Sequence, residues 1–513
     1  MQIAGLKLHA EPIRAPLPIY RADVDVQQWQ EAPWAVLAAH GRLVSTWGSQ
    51  AGGGNGAFTV CAAYAVPSGL FWLRLPVKSG GTYPDLSGHF PFAARMQRAT
   101  ADLLGLVAQG MTDRRGWLNH GAWPENFFPL RKDAALPEQF GEAQPYAFVP
   151  VQGDGVHEIP VGPVHAGIIE PGHFRFSIVG EKVLRLEARL GYTHKGIEKR
   201  FTELSAVSAH RLAGRISGDS TVAYAWAYCM ALESAAGMRP PARAVWLRAL
   251  MLERERIANH VGDLGALGND AGLAFGLAQF SRLREEWLRM SLDLFGHRFM
   301  MDRIVPGGVS ADIETSGVER LRRQCDEVER EVRNLRVIYD EHPGLQDRFI
   351  NAGKVTPDLA RALGLTGLAG RASAQGLDLR CKPSWPPYDA LEVRLATHKN
   401  GDVAARVNVR FDETLESLRL IRTICDTLPH GPVRAQFAPP VGAATGAGWI
   451  EGWRGEILVA LELDKSGAIE RCHCHDPSWQ NWPVLEHAIM DNIVPDFPLI
   501  NKSFNLTYSG HDL

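Results

Sequence analysis

Residues 161–200 read VGPVHAGIIEPGHFRFSIVGEKVLRLEARLGYTHKGIEKR. Two β-rich runs, Phe174-Arg-Phe-Ser-Ile-Val179 and Val183-Leu-Arg-Leu-Glu187, flank Gly180 and predict a short hairpin. Just ahead of it, His165 and His173 bracket Ala-Gly-Ile-Ile-Glu-Pro-Gly, a loop by its Gly and Pro content. Two histidines in such a loop are more often structural than catalytic. From here to about residue 340 the apolar positions follow a helical period. Leu247, Leu250, Ile257, Val261 and Leu264 share one face at three-, four- and seven-residue steps. Gly317 to Asp340 predicts another helix, with alternating charges on its solvated side.

Upstream of this stretch the first ~150 residues read as mixed α/β. Ala57-Phe-Thr-Val-Cys61 and Gly69-Leu-Phe-Trp-Leu-Arg-Leu75 are strand-like, and Phe92 to Leu106 is helix-like. Gly52-Gly-Gly-Asn-Gly56 lacks both the Lys-Ser/Thr ending of a P-loop and the G-x-G-x-x-G spacing, so it reads as a turn. A polar, Pro-bearing linker covers residues 133–156. Downstream, Glu392-Val-Arg-Leu-Ala396 and Ala404-Ala-Arg-Val-Asn-Val-Arg410 alternate like paired strands around Asn400-Gly401. A helix from Asp412 to Leu428 and strands over Glu456–Glu462 and Ile469–His475 complete the pattern. The expected fold class is α+β: an N-terminal α/β domain, residues 1–150, joined to a mainly helical domain with small β-sheets, residues 157–513.

Composition narrows the function classes. Lys+Arg 54 against Asp+Glu 57 leaves a net charge of −3 over 513 residues, without the basic excess of a duplex-tracking protein; no nucleic-acid partner is expected. Seven cysteines are too few and too odd for a secreted disulfide scaffold, and fit a reducing compartment. The opening MQIAGLKLHAEPIRAP holds no apolar signal core. One of the richest apolar runs, Val222 to Leu232, is far shorter than the ~20 residues that span a bilayer. Membrane attachment therefore needs a partner.

Three motifs could carry chemistry. Cys472-His-Cys-His475 supplies at most two thiolates where a structural zinc takes four ligands, and on a strand its Cys and His pairs point to opposite faces. It reads as an ordinary strand, and no metal is assigned to the chain. Glu253, Arg256 and His260 lie on one helical face and suggest an ion-pair network facing a partner. Ser217-Gly-Asp-Ser220, with Arg215 before it and Tyr224 after it, lacks the G-x-S-x-G of a serine hydrolase and reads as a helix start capped by Ser or Asp.

Taken together, the segments resemble a known family over nearly the whole chain. Residues 161–200 look like the opening of the large subunit of membrane-bound energy-converting [NiFe] hydrogenases, of the formate hydrogenlyase and hydrogenase-4 type. They also resemble the 49-kDa-type subunit of NADH:quinone oxidoreductase, complex I. Glu253-Arg-Glu-Arg-Ile-Ala-Asn-His260 with Asp263-Leu-Gly-Ala-Leu267, Gly296-His-Arg-Phe with Pro306-Gly-Gly-Val309, and Asp476-Pro-Ser-Trp479 with Ile493-Val-Pro-Asp-Phe-Pro-Leu-Ile500 support it. Tyr83-Pro-Asp-Leu86, Arg98 with Asp102-Leu-Leu-Gly105, and Trp123-Pro-Glu with Pro129-Leu-Arg-Lys-Asp133 resemble the 30-kDa-type subunit, fused here to the larger one. The resemblance implies a complex I 30-kDa-type domain followed by a NiFe-hydrogenase-large-subunit-like domain. It implies an oxidoreductase complex with NAD- and quinone-linked chemistry, peripheral on the cytoplasmic side of the inner membrane. The partners would be a small subunit carrying a [4Fe-4S] cluster and antiporter-like membrane subunits, and this chain itself would bind no cofactor unless a quinone.

Departures from the family pattern carry as much as the matches. The two C-x-x-C pairs that hold nickel and iron in the hydrogenases fall on Ser217 and Ser220, and on Thr507 and Gly510; the histidine after the first pair falls on Tyr224. Hydroxyls stay protonated near neutral pH and are hard ligands, so they do not replace thiolates around nickel. The family's hydrogenases commonly carry a tail, clipped after nickel insertion, and this sequence stops three residues past Gly510. In the complex I pattern the quinone-contacting histidine falls on His173 and its tyrosine partner on Ala206. Asp219 joins the expected polar lining of the altered site. Lys195 and Arg215 are the expected cluster-facing cations, and Glu198 matches a glutamate used in proton movement. The expected role is that of a redox subunit without hydrogenase activity; the alternative is a redox-silent scaffold for an ion-translocating module.

Overall fold

The computed structural model describes residues 2–50, 57–165 and 169–513; the glycine-rich stretch 52–56, expected to form a turn, lies outside them. In the N-terminal part a five-stranded sheet runs in the order Glu11–Ile13, Ile19–Asp23, Gly69–Lys78, Ala57–Val66, Arg42–Ser49. Its pairs are antiparallel except Ile19–Asp23 with Gly69–Lys78. Helices Val26–Ala38 and Ala93–Leu104 pack on it. Residues 133–155 form neither helix nor strand and lead to a second sheet, the antiparallel strands Val156–Val161, His173–Val179 and Lys182–Arg189. The expected hairpin is the second pair of these.

Most of the remainder is helical. Thr221–Ala236 is buried from Thr221 through Ser234, as a helix apolar on all sides must be. Ala242–Asp270, Ala274–Phe295 and Thr315–Glu341 pack beside one another, the first and last matching the predicted helices. A third antiparallel sheet, Ala444–Glu451, Glu456–Leu463 and Ile469–His475, lies on Thr221–Ala236. Here the approach is close enough to demand glycine: a Cβ on Gly446 or Gly448 would stand 2.0 Å from Ala231 O or 1.9 Å from Ala227 O. Together these features form a mixed helix-and-sheet fold.

One expectation fails. The hairpin predicted over Glu392–Ala396 and Ala404–Arg410 is absent; residues 404–410 open the helix Val403–Thr427, in which Asp402 caps the start by accepting from Ala405 N at 2.8 Å. The misleading alternation came from Arg406 and Arg410, which are four apart and both buried. Arg410 pairs with Asp263 at 2.9 Å, and Arg406 donates to the carbonyls of Gly401 and Gly353 and to Ser503 Oγ. Arginines that bury their charge on partners inside the fold imitate the polar face of a strand.

The two ends of the chain meet along one edge. Strand Arg42–Ser49, the last of the first sheet, is sealed by the C-terminal part rather than left open to pairing. Arg42 pairs with Glu456 at 2.8 Å, Ser49 Oγ donates to Glu462 Oε2 at 2.6 Å, and Gln480 Nε2 and Arg471 Nε donate to the carbonyls of Val44 and Gly48.

Candidate functional site

The short turn Gly218–Ser220 leads into helix Thr221–Ala236, and its geometry corrects the capping expectation. Neither serine caps the helix. The first free backbone donors, Val222 N and Ala223 N, are met by the Glu255 carboxyl at 2.6 and 3.1 Å. Burial pushes that carboxyl up to about 8 despite these bonds. Ser217 and Ser220 are thereby free for another network. Ser217 Oγ donates to Asp219 Oδ1 at 2.7 Å and lies 3.1 Å from Thr507 Oγ1, which accepts from Gly510 N at 3.0 Å. Arg454 closes the cluster, with Nη1 and Nη2 on the two Asp219 oxygens at 2.8 and 2.5 Å and Nη1 3.3 Å from Ser220 Oγ. Its guanidinium lies 4.0 Å over the Trp453 ring, whose Nε1 donates to Asp219 O. Burial opposes the Asp219 charge, but Arg454 outweighs it and holds the carboxyl below its usual range. Tyr224 donates to Asp476 Oδ2 at 2.6 Å, and a Cβ on Gly510 would stand 2.7 Å from that oxygen. All four positions that the sequence reading matched to cysteines thus sit in one hydrogen-bonded cluster, although the two pairs lie almost three hundred residues apart.

The donor set speaks against a nickel-iron centre. Three protonated hydroxyls and a glycine offer no soft anionic ligand, and the one carboxylate bonded to them is already bound to a guanidinium. Cys472 and Cys474 share a strand face with sulfurs 3.9 Å apart, as alternation requires, and burial drives Cys474 well above its usual value, so it is a thiol.

A second cluster joins the two parts of the chain. Glu198 accepts from Arg471 Nη2 at 2.9 Å and bonds His473 Nδ1 at 2.8 Å; His473 Nε2 lies 2.8 Å from Ser45 Oγ, and its ring stacks on Trp47 at 4.3 Å. Burial would raise the Glu198 pKa, yet Arg471 and His473 bring it down to about 2. Burial lowers His473, so the imidazole is neutral. An ionised carboxylate can only accept, which puts the ring proton on Nδ1 and makes Nε2 the acceptor of the Ser45 hydroxyl. The order Ser–His–Glu imitates a hydrolase triad, but Ser45 is about 1% exposed and the adjoining cavity is only about 40 Å³. That volume holds water, not an ester substrate.

His173 stands apart from both clusters: its Nδ1 is 3.1 Å from Gly162 O, Arg175 Nε donates to Nε2 at 3.4 Å, and the ring packs on Phe148. Its loop comes up against the chain just after Thr507: a Cβ on Gly172 would meet the Tyr508 ring at 2.5 Å. At Ala206 the carbonyl accepts from Tyr228 OH at 2.7 Å, so a phenol lies against the position matched to the quinone tyrosine. Lys195 turns its amine toward Ile216 O at 3.4 Å, and burial lowers its pKa. Arg215 points outward and pairs with Asp302 at 2.7 Å.

Glu253, Arg256 and His260 form a network, but an internal one rather than one facing a partner. All are completely buried; Glu253 binds Arg380, Tyr388 and Ser417, while His260 pairs with Glu413, which Arg371 also holds. Sequence reading missed Arg454 and Ser45, and passed over His473 as a strand residue. The C-H-C-H string was the only signal for His473, and nothing local marked the other two.

Against this geometry, the comparisons define a class. Residues 28–140 match the family described as respiratory-chain NADH dehydrogenase, 30 Kd subunit, and residues 270–445 match its 49 Kd subunit. The chain is 29% identical over 468 residues to formate hydrogenlyase subunit 5 of Escherichia coli K12, covering 89% of this chain and 82% of that protein. It is 31% identical over 435 residues to hydrogenase-4 component G of the same organism, covering 84% and 76%. The chain therefore belongs to the family of large subunits shared by membrane-bound hydrogenases of the hydrogenase-4 type and complex I, with 30-kDa-type and 49-kDa-type domains fused. A solved structure of the membrane-bound sulfane sulfur reductase, an archaeal respiratory membrane complex, superposes with a TM-score of 0.66 at 24% identity, over 71% of this chain and all of that one, and shares the fold. Among the described residues, no helix is long and apolar enough to cross a membrane.

Proposed function

We propose that the chain is the peripheral-arm large subunit of a membrane-bound, complex-I-like redox complex in which the hydrogen-activating centre has been lost. Electrons reach it from a [4Fe-4S] cluster in a small partner subunit and pass to a quinone or another small acceptor. Antiporter-like membrane subunits dock beneath it, on the cytoplasmic side. The observation that supports this reading is the first cluster: Ser217, Ser220, Thr507 and Gly510 converge, but Arg454 and a half-buried Asp219 form an ion pair among them. Lys195 is the residue suited to tune the neighbouring cluster's potential through its charge. In this reading Glu198 does not itself carry a proton at neutral pH. Held near 2, it stays charged and orients His473, the group able to exchange protons with Ser45 and the small water-sized cavity.

The test is metal analysis and electron paramagnetic resonance on the assembled complex. Iron without stoichiometric nickel, and a reduced-cluster signal that disappears on adding quinone, support the reading. Stoichiometric nickel with hydrogen turnover overturns it. A cluster signal indifferent to quinone or any other added oxidant overturns electron transfer and leaves the scaffold role.

A further inference from the structure

Alongside helix Thr221–Ala236, from Trp226 to just past its C-terminal end at Gly237, lies a cavity of about 600 Å³, within the range of small-molecule sites. The first cluster sits at the N-terminal end of the same helix, where Ser220 is about 9 Å along the axis from Trp226 at 1.5 Å per residue. Three indoles, Trp226, Trp246 and Trp385, build its apolar wall, and Met230 and Met238 add adaptable surface. Trp226 and Trp385 meet edge to face at 5.8 Å, with both rings almost wholly buried.

The polar groups around it are unbalanced. Glu233 lines the cavity but is spent, binding Arg248 at 2.6 and 2.9 Å and Gly307 N at 2.8 Å. Arg14 and Arg239 also line it, and among the described residues neither has an ion-pair or hydrogen-bond partner. Arg14 is held against Gly237, where a Cβ would stand 2.9 Å from its Nη1. Two lining residues, Ser234 and Trp385, also hold donors behind the wall, Oγ and Nε1, that are buried without an acceptor. An apolar wall with two unpaired guanidinium groups at its rim suits an occupant with an apolar body and an acceptor group that carries negative charge.

We propose that this cavity, at the junction of the N-terminal segment Arg14–Pro16 with the helical core, binds an apolar monocarboxylate, its body among the three tryptophans and its carboxylate at Arg14 and Arg239. The site is independent of the redox reading. Aromatic and long-chain aliphatic acids share this chemistry, and the experiment separates them.

The 513-residue chain is titrated calorimetrically with 2-naphthoate, with decanoate and with the neutral 2-naphthylmethanol. The expected result is one saturable site for at least one of the acids, with the alcohol at least tenfold weaker than naphthoate or without binding. Naphthoate alone assigns an aromatic body and decanoate alone an aliphatic one. The variant Arg14→Gln/Arg239→Gln, changed only at exposed side chains, weakens the acid at least tenfold and leaves thermal stability unchanged. No saturable binding of either acid, equal affinity for naphthoate and the alcohol, or full acid affinity in the double variant would each overturn the proposal.

Discussion

Glutamine at position 198 exchanges one oxygen for nitrogen and removes one buried charge. The Glu198 carboxylate is about 6% exposed and is bound by Arg471 at 2.9 Å and His473 at 2.8 Å. In Glu198→Gln, Arg471 keeps its charge in the interior but loses its directly bonded carboxylate, leaving neutral acceptors such as the carbonyls of Gly48 and Cys472. Breaking a buried pair from one side costs about 3–5 kcal/mol. Titration gives a consistent size: lowering a carboxyl from its ordinary 4.5 to about 2 corresponds to about 3 kcal/mol. Because the folded value is depressed, this stability is fully present above pH 4.5 and is lost as pH falls through 2. With an unfolding entropy of about 2 cal/mol/K per residue, 4 kcal/mol lowers the midpoint of cooperative unfolding by about 4 °C. Differential scanning calorimetry at pH 7 should show that loss, and at pH 3.5 a penalty smaller by about 1 kcal/mol, because the parent has surrendered part of its advantage. The double variant Glu198→Gln/Arg471→Gln should recover part of the loss, since no charge is left unpaired. A single variant within 1 °C of the parent at pH 7, or a double variant less stable than the single, refutes the reasoning.

Three further outcomes follow from the same geometry. Nitrogen-15 NMR at pH 6.5 should find His473 neutral with its proton on Nδ1, and at Glu198→Gln that tautomer preference should weaken because the amide can accept or donate. Gly510→Cys should destabilise the fold by about 1–3 kcal/mol, seen as a lower thermal midpoint, because its Cβ would stand 2.6 Å from Thr507 Cγ2 and 2.7 Å from Asp476 Oδ2. Glu255→Ala should cost about 1–3 kcal/mol by stripping Val222 N and Ala223 N of their acceptor, and faster amide exchange at those two residues distinguishes this from a general loss of packing.

Much of the architecture was legible because long buried helices and alternating strands announce themselves by period. Ala242–Asp270, Thr315–Glu341 and the hairpin after His173 are such elements. The exception, Val403–Thr427, misled because Arg406 and Arg410 find their partners at Ser503, Gly353 and Asp263, which no local window contains. The same blindness applied to the charged helix face of Glu253, Arg256 and His260: exposure is the ordinary expectation for charge, and only the fold brings Arg380, Glu413 and Arg371 to bury it. At the first cluster, family resemblance pointed to Ser217, Ser220, Thr507 and Gly510. It could not reveal Arg454, an unmarked arginine in a strand turn that supplies the cluster's positive charge.

That charge decides what the cluster can hold. Thiolates around a metal are anionic ligands that require a cation. Here the hydroxyls are neutral, the nearby charges are those of Asp219 and Asp476, and Arg454 already binds the first while Tyr224 and Ser478 N donate to the second. A divalent ion would have to displace a guanidinium bound through two hydrogen bonds to reach the Asp219 carboxylate, and beyond it would find only uncharged hydroxyls and no thiolate. Added nickel or magnesium at millimolar concentration should therefore leave the thermal midpoint of the chain unchanged, whereas any ion that bound the folded state a hundredfold below that concentration would stabilise it by about 2.7 kcal/mol, worth about 2–3 °C for a chain of this length. An upward shift with nickel that disappears in Ser217→Ala/Thr507→Ala would show that the hydroxyls ligate metal after all, and the electrostatic closure by Arg454 would have to be abandoned.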